Sequence, residues 1–160
     1  MAGTPPAVTV NVIMRMLREA FDGPPGPWTY FIDTSPGAGL LSTLGALSAV
    51  EASRQGGPSR STIAGHVHHV ISSLAVTSRL LRGESASRDR SHTWTVSAVD
   101  EATWTRLRSD LQREYRSLLV AVGMRGLWDE DALGVALGGI AHTAYHLGAI
   151  RQRVPAGGRG

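Results

Sequence analysis

The stretch GGIAHTAYHLGAIRQ, residues 138–152, holds two histidines four positions apart, His142 and His146, among apolar residues at helical spacing. On an α-helix this spacing puts both imidazoles on one face, about one turn apart, where they can converge on one point. That is the spacing of a metal clamp, although such a pair alone is more often a hydrogen-bonded core or surface pair. Two imidazoles fill too few positions around a divalent ion, so a metal site requires further ligands.

The length of 160 residues fits one domain with a real core, and a hydrophobic content of 42% is too high for a disordered chain. We therefore expect a single domain over residues 1–160, with disordered tails at 1–6 and 155–160. The chain has no cysteine, and all 16 of its basic residues are arginines. Thiolate ligands, disulfides and lysine Schiff bases are excluded, so a metal must be held by nitrogen and oxygen atoms.

The charge pattern argues against nucleic acid as a partner. The net charge is only +3 and the arginines are scattered along the chain, although the pI is about 10.2. No apolar run approaches the ~20 residues of a membrane span, and the N-terminus lacks the order of a signal peptide. We expect a cytoplasmic protein that binds neither nucleic acid nor membrane.

Apolar residues at spacings of three and four predict an all-α protein. In the first helix Glu19 lies outside the apolar stripe, and the segment Trp28 to Pro36 should lie against the body of the fold. Long helices with one long connection after the first are typical of a four-helix bundle, in which metal sites lie between facing helices. The predicted helices are Ala7–Phe21, a short one at Gly39–Arg54, then Ser61 or Thr62 to Arg82 with Gly83 after it, Asp100–Val122, and a last helix capped by Asp129 or Asp131 that carries Leu133, Leu137, Ile140, Tyr145 and Ile150.

The second long helix contains three candidate ligands within four residues. At 100° per residue, His66 and His69 face inward beside the apolar stripe, while His68 points toward solvent. His69, with or without His66, can therefore meet His142 and His146. Three nitrogen ligands and an open position describe a catalytic metal site better than a closed structural one.

Several neighbouring residues have simpler interpretations. Thr143 stands where a His-Glu-x-x-His peptidase has its glutamate, so the general base of that class is missing. Tyr145 and Glu51 are candidate acids or bases, but they are better interpreted as a core and a surface residue. His92 is interpreted as an exposed loop histidine.

Three glycines and one arginine on the last helix also need an interpretation. Gly138, Gly139 and Gly148 lack the order of a phosphate loop and favour close helix packing. Arg151, followed by Gln152, would position an anionic ligand, or else forms a solvated helix end.

Two separated motifs resemble the DinB/YfiT-like superfamily of metalloenzymes. They are Thr62-Ile63-Ala64-Gly65-His66-Val67-x-His69 and His142-x-x-x-His146-x-Gly148-x-Ile150-Arg151-Gln152. The resemblance extends from Gly39 to Arg153. The chain has His146-Leu147-Gly148-Ala149 where the family more often has His-Arg-Gly-Gln, so a family role for that arginine and glutamine does not carry over.

The resemblance implies an up-up-down-down four-helix bundle with a divalent ion such as nickel, zinc or iron. Its ligands would be His69, seven residues after Thr62, together with His142 and His146, while His66 would support them or act as a fourth group. The better understood members are transferases or isomerases that use a thiol such as mycothiol or bacillithiol, and such proteins often form homodimers.

The leading hypothesis is a metal-dependent enzyme, a transferase or hydrolase, in which the ion acts as a Lewis acid on a bound thiol, water or carbonyl. Its partner would be a small-molecule substrate or thiol, with Arg151 as a candidate cofactor contact. The alternative is a non-catalytic metal- or ligand-binding stress-response protein.

Overall fold

The computed structural model describes residues 6–56, 60–87 and 94–154, and these form six helices and one isolated bridge between Gly56 and Ser61. The all-α prediction is confirmed for this part of the chain. The predicted tails lie outside the described residues, except that Pro6 begins the first helix. The helices are α1 (Pro6–Asp22), α2 (Leu40–Gly45), α3 (Ala49–Ala52), α4 (Ile63–Leu81), α5 (Glu101–Met124) and α6 (Glu130–Arg151).

Side-chain caps fix where the three helices after residue 60 begin. The side chains of Thr62, Asp100 and Asp129 accept hydrogen bonds from the backbone N–H groups of the third residue after each. Gly83, with φ of +80°, follows α4 in the left-handed conformation that glycine adopts readily. The predicted starts are confirmed, whereas α5 continues past its predicted end at Val122 to Met124.

The segment predicted as one short helix at Gly39–Arg54 forms two helices, α2 and α3. Ser48 begins α3 in a capping box with Glu51, and this separates it from α2. Gly39 lets the start of α2 touch the end of α1, because an added Cβ would lie 2.4 Å from the backbone nitrogen of Gly23. The two short helices therefore cover one end of the fold.

The four long helices pack around a single core. Helices α1 and α4 each contact both α5 and α6, while α2 packs on α1 and α5 and α3 on α4 and α5. Trp104 is fully buried and its indole N–H donates to the carbonyl of Leu47 at 2.8 Å, which fixes the α2–α3 segment against α5. The largest fully buried side chains include Leu17, Phe21, Leu40, Leu44, Ile63, Leu74, Trp104, Leu111, Leu118, Leu147 and Ile150.

The contacts give helix directions that differ from the expected up-up-down-down order. Met14 lies at Gly123 and Phe21 at Tyr115, so α1 and α5 are antiparallel. Val96, just before α5, lies at Gly65 near the start of α4, and Arg125, just after α5, bonds to Leu81 at its end. Helices α4 and α5 are therefore parallel.

The expected order is corrected by the position of the long connections. The chain between α1 and α4, with its two short helices, stays at one end of the fold, so α4 runs back along α1. Trp94 and Val96, which lead into α5, instead lie at the start of α4 and not at its end. Helix α6 is antiparallel to α4 because His66 meets His146 while His69 meets His142. Helices α1 and α6 therefore run one way and α4 and α5 the other.

Glu19 lies inside the fold, although the sequence places it outside the apolar stripe of the first helix. It is 2% exposed, and its carboxylate accepts backbone N–H bonds of 2.8–3.0 Å from Tyr30, Phe31 and Ile32. A buried carboxylate is stable only with such donors. The segment Trp28 to Pro36 lies against the body, as predicted, and Glu19 is what holds it there.

Two residues predicted among the apolar residues of the last helix face solvent instead. Leu137 is 47% exposed and Tyr145 is 69% exposed. Because α6 has a wide uncharged surface, helical periodicity does not identify its buried side. Among the described residues one helix, α6, is long and apolar enough to span a membrane, and part of it is buried against α1 and α4.

The carboxylate of Glu19 provides the first prediction. Glu19→Gln leaves the shape of the side chain but removes the charge and turns one acceptor into a donor that faces backbone N–H groups. We expect the free energy of unfolding to fall by about 1–3 kcal/mol, the cost of unsatisfied buried polar groups. Urea denaturation followed by circular dichroism measures it. Asp131→Asn, at an exposed position of α6, is the control, and an equal loss there would contradict the assignment.

Candidate metal centre

Four histidines from two antiparallel helices meet in the interior. Helix α4 supplies His66 and His69, and α6 supplies His142 and His146. Because each pair is separated by about one helical turn, the two pairs face each other at two levels along the helices. The clamp predicted from the 142–146 spacing therefore does have its facing partners.

Three of the imidazoles converge through the same ring nitrogen. The Nε2 atom of His142 lies 3.0 Å from Nε2 of His69 and 3.1 Å from Nε2 of His146. Ligand atoms of the three residues all lie within 4.8 Å of one another. His146 is buried, whereas His69 and His142 are half-buried. The structure thus brings together the three residues predicted as ligands.

His66 lies behind this group rather than within it. Its Nδ1 atom is 2.8 Å from Nδ1 of His146, and its Nε2 atom is 3.1 Å from Oγ of Ser61. His66 therefore contacts the side of the His146 ring that faces away from the Nε2 cluster. Of the two roles left open for His66, a support to the ligands agrees with this geometry.

Burial keeps the inner two imidazoles neutral. Desolvation, with the neighbouring His142, His66 and His69, lowers the pKa of His146 from 6.5 to about 3. Desolvation, with the charge of Arg153 and then His69, lowers the pKa of His66 to about 4. A neutral imidazole has the lone pair that a metal ligand needs, so at neutral pH both rings are in the form that can coordinate an ion or accept a hydrogen bond.

Trp94 covers one side of the cluster. Its indole is stacked on His69, with ring centroids 4.7 Å apart and planes within 16°, and its edge contact with His66 is 5.2 Å between centroids. The segment before α5 therefore packs against the histidines through Trp94. Periodicity gave no sign of this contact, since residue 94 lies outside any helix.

Two glycines allow these close approaches. A Cβ on Gly65 would lie 2.8 Å from the carbonyl oxygen of Val96, and one on Gly139 would lie 3.1 Å from Cγ2 of Thr77. Gly65 therefore admits the 94–96 segment to α4, and Gly139 admits α4 to α6. The predicted packing role holds for Gly139, but Gly138 and Gly148 have no atom within 4 Å of an added Cβ.

The other residues considered from the sequence lie in different places. Thr143 is buried and its hydroxyl donates to the carbonyl of Gly139, so it makes an ordinary helix contact. Glu51 belongs to the capping box of α3. His68 is half-buried, not fully exposed as predicted, and His92 lies outside the described residues.

Tyr145 lies on α6 beside His146, and Arg151 is the last residue of that helix. Tyr145, exposed and not in the core, meets the ring of His146 edge-on, with centroids 5.1 Å apart. Arg151 forms an ion pair with Asp33, with 2.6 Å between Nη1 and Oδ2. This arginine, assisted by Ser35, holds the pKa of the Asp33 carboxyl well below its usual range. Arg151 thus ties the end of α6 to the 28–36 segment.

Comparison with known proteins gave no match: no family model, curated protein or solved structure corresponds to the chain.

The glycine at position 65 provides the second prediction. Gly65→Ala must push the 94–96 segment away from α4, since a Cβ cannot lie 2.8 Å from a backbone oxygen. We expect lower stability in urea denaturation and a change in tryptophan fluorescence as Trp94 leaves His69. Gly138→Ala, at an open helical position, should instead raise stability by about 0.5–1 kcal/mol. Equal stabilisation by both substitutions would show that Val96 does not pack against α4.

Proposed function

We propose that His69, His142 and His146 bind a divalent metal ion through their Nε2 atoms, and that the protein is a metal-dependent enzyme of the DinB-like type. The observation that carries the proposal is the convergence of three Nε2 atoms from two helices, at 3.0 and 3.1 Å. These separations suit neighbouring ligand atoms of one ion with bonds of about 2.1 Å. The all-nitrogen donor set suits zinc, nickel or iron.

Hydrogen bonding alone explains this convergence poorly. A ring nitrogen has either one hydrogen or one lone pair, so Nε2 of His142 cannot make two well-aligned bonds to the Nε2 atoms of His69 and His146 at once. A cation placed between the three nitrogens accepts all three lone pairs. The low pKa of His146 means that this lone pair is available without displacing a proton at neutral pH.

The chemistry expected of such a site is Lewis-acid chemistry, since a bound divalent ion lowers the pKa of a water or thiol toward neutrality. The residues around the histidines determine from which side the site can be reached. Trp94 shields one side of the cluster from water, and the half-buried His69 and His142 leave it accessible from another. We propose a thiol-dependent transfer or isomerisation. Hydrolysis by a metal-bound water is the alternative reaction.

Arg151 is the proposed contact for an anionic part of a cofactor such as mycothiol or another small thiol. Asp33 already holds its guanidinium at the surface, so a carboxylate or phosphate there would have to replace Asp33. The small-molecule substrate, the cytoplasmic location and the homodimer stay predictions from the sequence.

A non-catalytic metal-binding protein is the second candidate, and the stacking of Trp94 on His69 favours it. A large indole against one ligand reduces the room around the ion for a reacting molecule. Metal binding without reaction toward low-molecular-weight thiols would support this candidate.

The third prediction tests the metal site. His69→Ala, His142→Ala and His146→Ala should each lose stoichiometric zinc or nickel, measured by elemental analysis after loading and dialysis. Saturating metal should raise the midpoint of thermal unfolding of the wild type, because the ion binds the folded state. His68→Ala is the matched control for all three variants, and it should keep its metal.

His68 is a suitable control because it lies on α4 between His66 and His69 but outside the ligand group. Retention of full metal content by all three alanine variants, or loss of it by His68→Ala alone, would overturn the assignment. A wild-type protein that takes up no zinc, nickel or iron would remove the proposal altogether.

A further inference from the structure

A chain of hydrogen bonds continues from His66 to the C-terminal end of α6. Oγ of Ser61 lies 3.1 Å from Nε2 of His66 and accepts a bond of 3.0 Å from Nη2 of Arg153. Together with the 2.8 Å contact between His66 and His146, this links a proposed ligand to an arginine seven residues after it. Neither Ser61 nor Arg153 was predicted as a site residue; Ser61 was only one of two candidates for the start of the second long helix.

Hydrogen bonds to the backbone fix Arg153 and the turn that carries Ser61. Arg153 donates from Nη1 to the carbonyl of Ala149 at 2.8 Å and from Nη2 to that of Gly56 at 3.3 Å. The backbone N–H of Gly56 donates to the carbonyl of Ser61 at 3.2 Å. Arg153 therefore holds the turn before α4 against the end of α6, with the Ser61 hydroxyl directed at His66.

The direction of the hydrogen bonds follows from the chemistry of the groups. If Nε2 of His146 supplies a lone pair to an ion, the neutral ring must have its hydrogen on Nδ1. That N–H donates to Nδ1 of His66, so His66 must in turn have its hydrogen on Nε2. Ser61 must then accept from His66, and it also accepts from Arg153, which has no acceptor.

We propose that Ser61 and Arg153 are positioning residues of the metal site, which hold His66 with its hydrogen on Nε2 so that it accepts a hydrogen bond from the ligand His146. This inference rests on the proposed metal site and extends it to the end of α6. A partner of this kind fixes the orientation of a ligating imidazole and makes it a better donor to the ion. Its loss lowers the affinity for metal without removing a ligand.

The test compares the binding of zinc alone to the full chain and its variants by competition with a chelator. Ser61→Ala and Arg153→Met should weaken zinc binding, by no more than the about 10- to 100-fold that follows loss of a group bonded directly to a ligand. Ser61→Thr keeps the oxygen and should bind nearly as tightly as the wild type. Circular dichroism confirms that each variant is folded.

Ring ¹⁵N NMR of the zinc-loaded protein supplies a second readout, which a merely structural role would not move. His69, His142 and His146 should show hydrogen on Nδ1, and His66 alone of the four should show it on Nε2. In Ser61→Ala, part of the His66 population should have its hydrogen on Nδ1, and in that part the bond from His146 is lost. Ser61→Thr should restore the wild-type spectrum.

Arg82 and Ser117 form the matched control, since they make the same type of hydrogen bond, 2.7 Å from Nη2 to Oγ, at the other end of α4. Arg82→Met and Ser117→Ala should leave zinc affinity unchanged. If the wild type binds zinc and the Ser61 and Arg153 variants bind it as tightly, the positioning role is wrong and the metal site stands. If the wild type binds no zinc or nickel, the metal site itself is wrong and the positioning role falls with it.

Discussion

The contact between α4 and α6 is the constraint on which the rest of the structure depends. These antiparallel helices meet where Gly139 lets Thr77 approach and, two turns away, where imidazole faces imidazole. Buried polar groups require partners, and here the histidines of the two helices are partners of one another. A small change in the separation of the two helices would therefore break several polar contacts at once. Trp94 packs against the same interface, since it contacts His69 of α4 and His146 of α6.

Local signals in the sequence were sufficient for the starts of the three helices after residue 60. Thr62, Asp100 and Asp129 cap as predicted, because an N-cap depends on only three or four consecutive residues. Helix directions were not recoverable in this way, since they depend on which connection crosses the length of the fold. Glu19 was misplaced for a related reason: a carboxylate is buried only when distant backbone N–H groups meet it, and the sequence does not show those groups.

The candidate site was predictable at the level of residues and not of atoms. The 142–146 spacing and the helical wheel of α4 selected His69 and His66. Both lie against the histidines of α6, at His142 and at His146. The wheel could not tell which ring nitrogen each histidine presents, and that choice separates a ligand from its support. Trp94, Ser61 and Arg153 come from loops and helix ends, where no period constrains the position of a side chain.

Helix α6 is poorly suited to form without its neighbours. It contains four glycines, at 134, 138, 139 and 148, and each costs about 1 kcal/mol of helix propensity relative to alanine. Only Gly139 is explained by a close contact, so the others weaken the helix without a visible gain in packing. The same helix carries two of the three proposed ligands, and just after its end Arg153 bonds to the turn before α4. An ion bound between α6 and α4 would stabilise α6 at the place where it meets the rest of the fold. A ligand that binds only the folded state adds its binding free energy to the stability of that state.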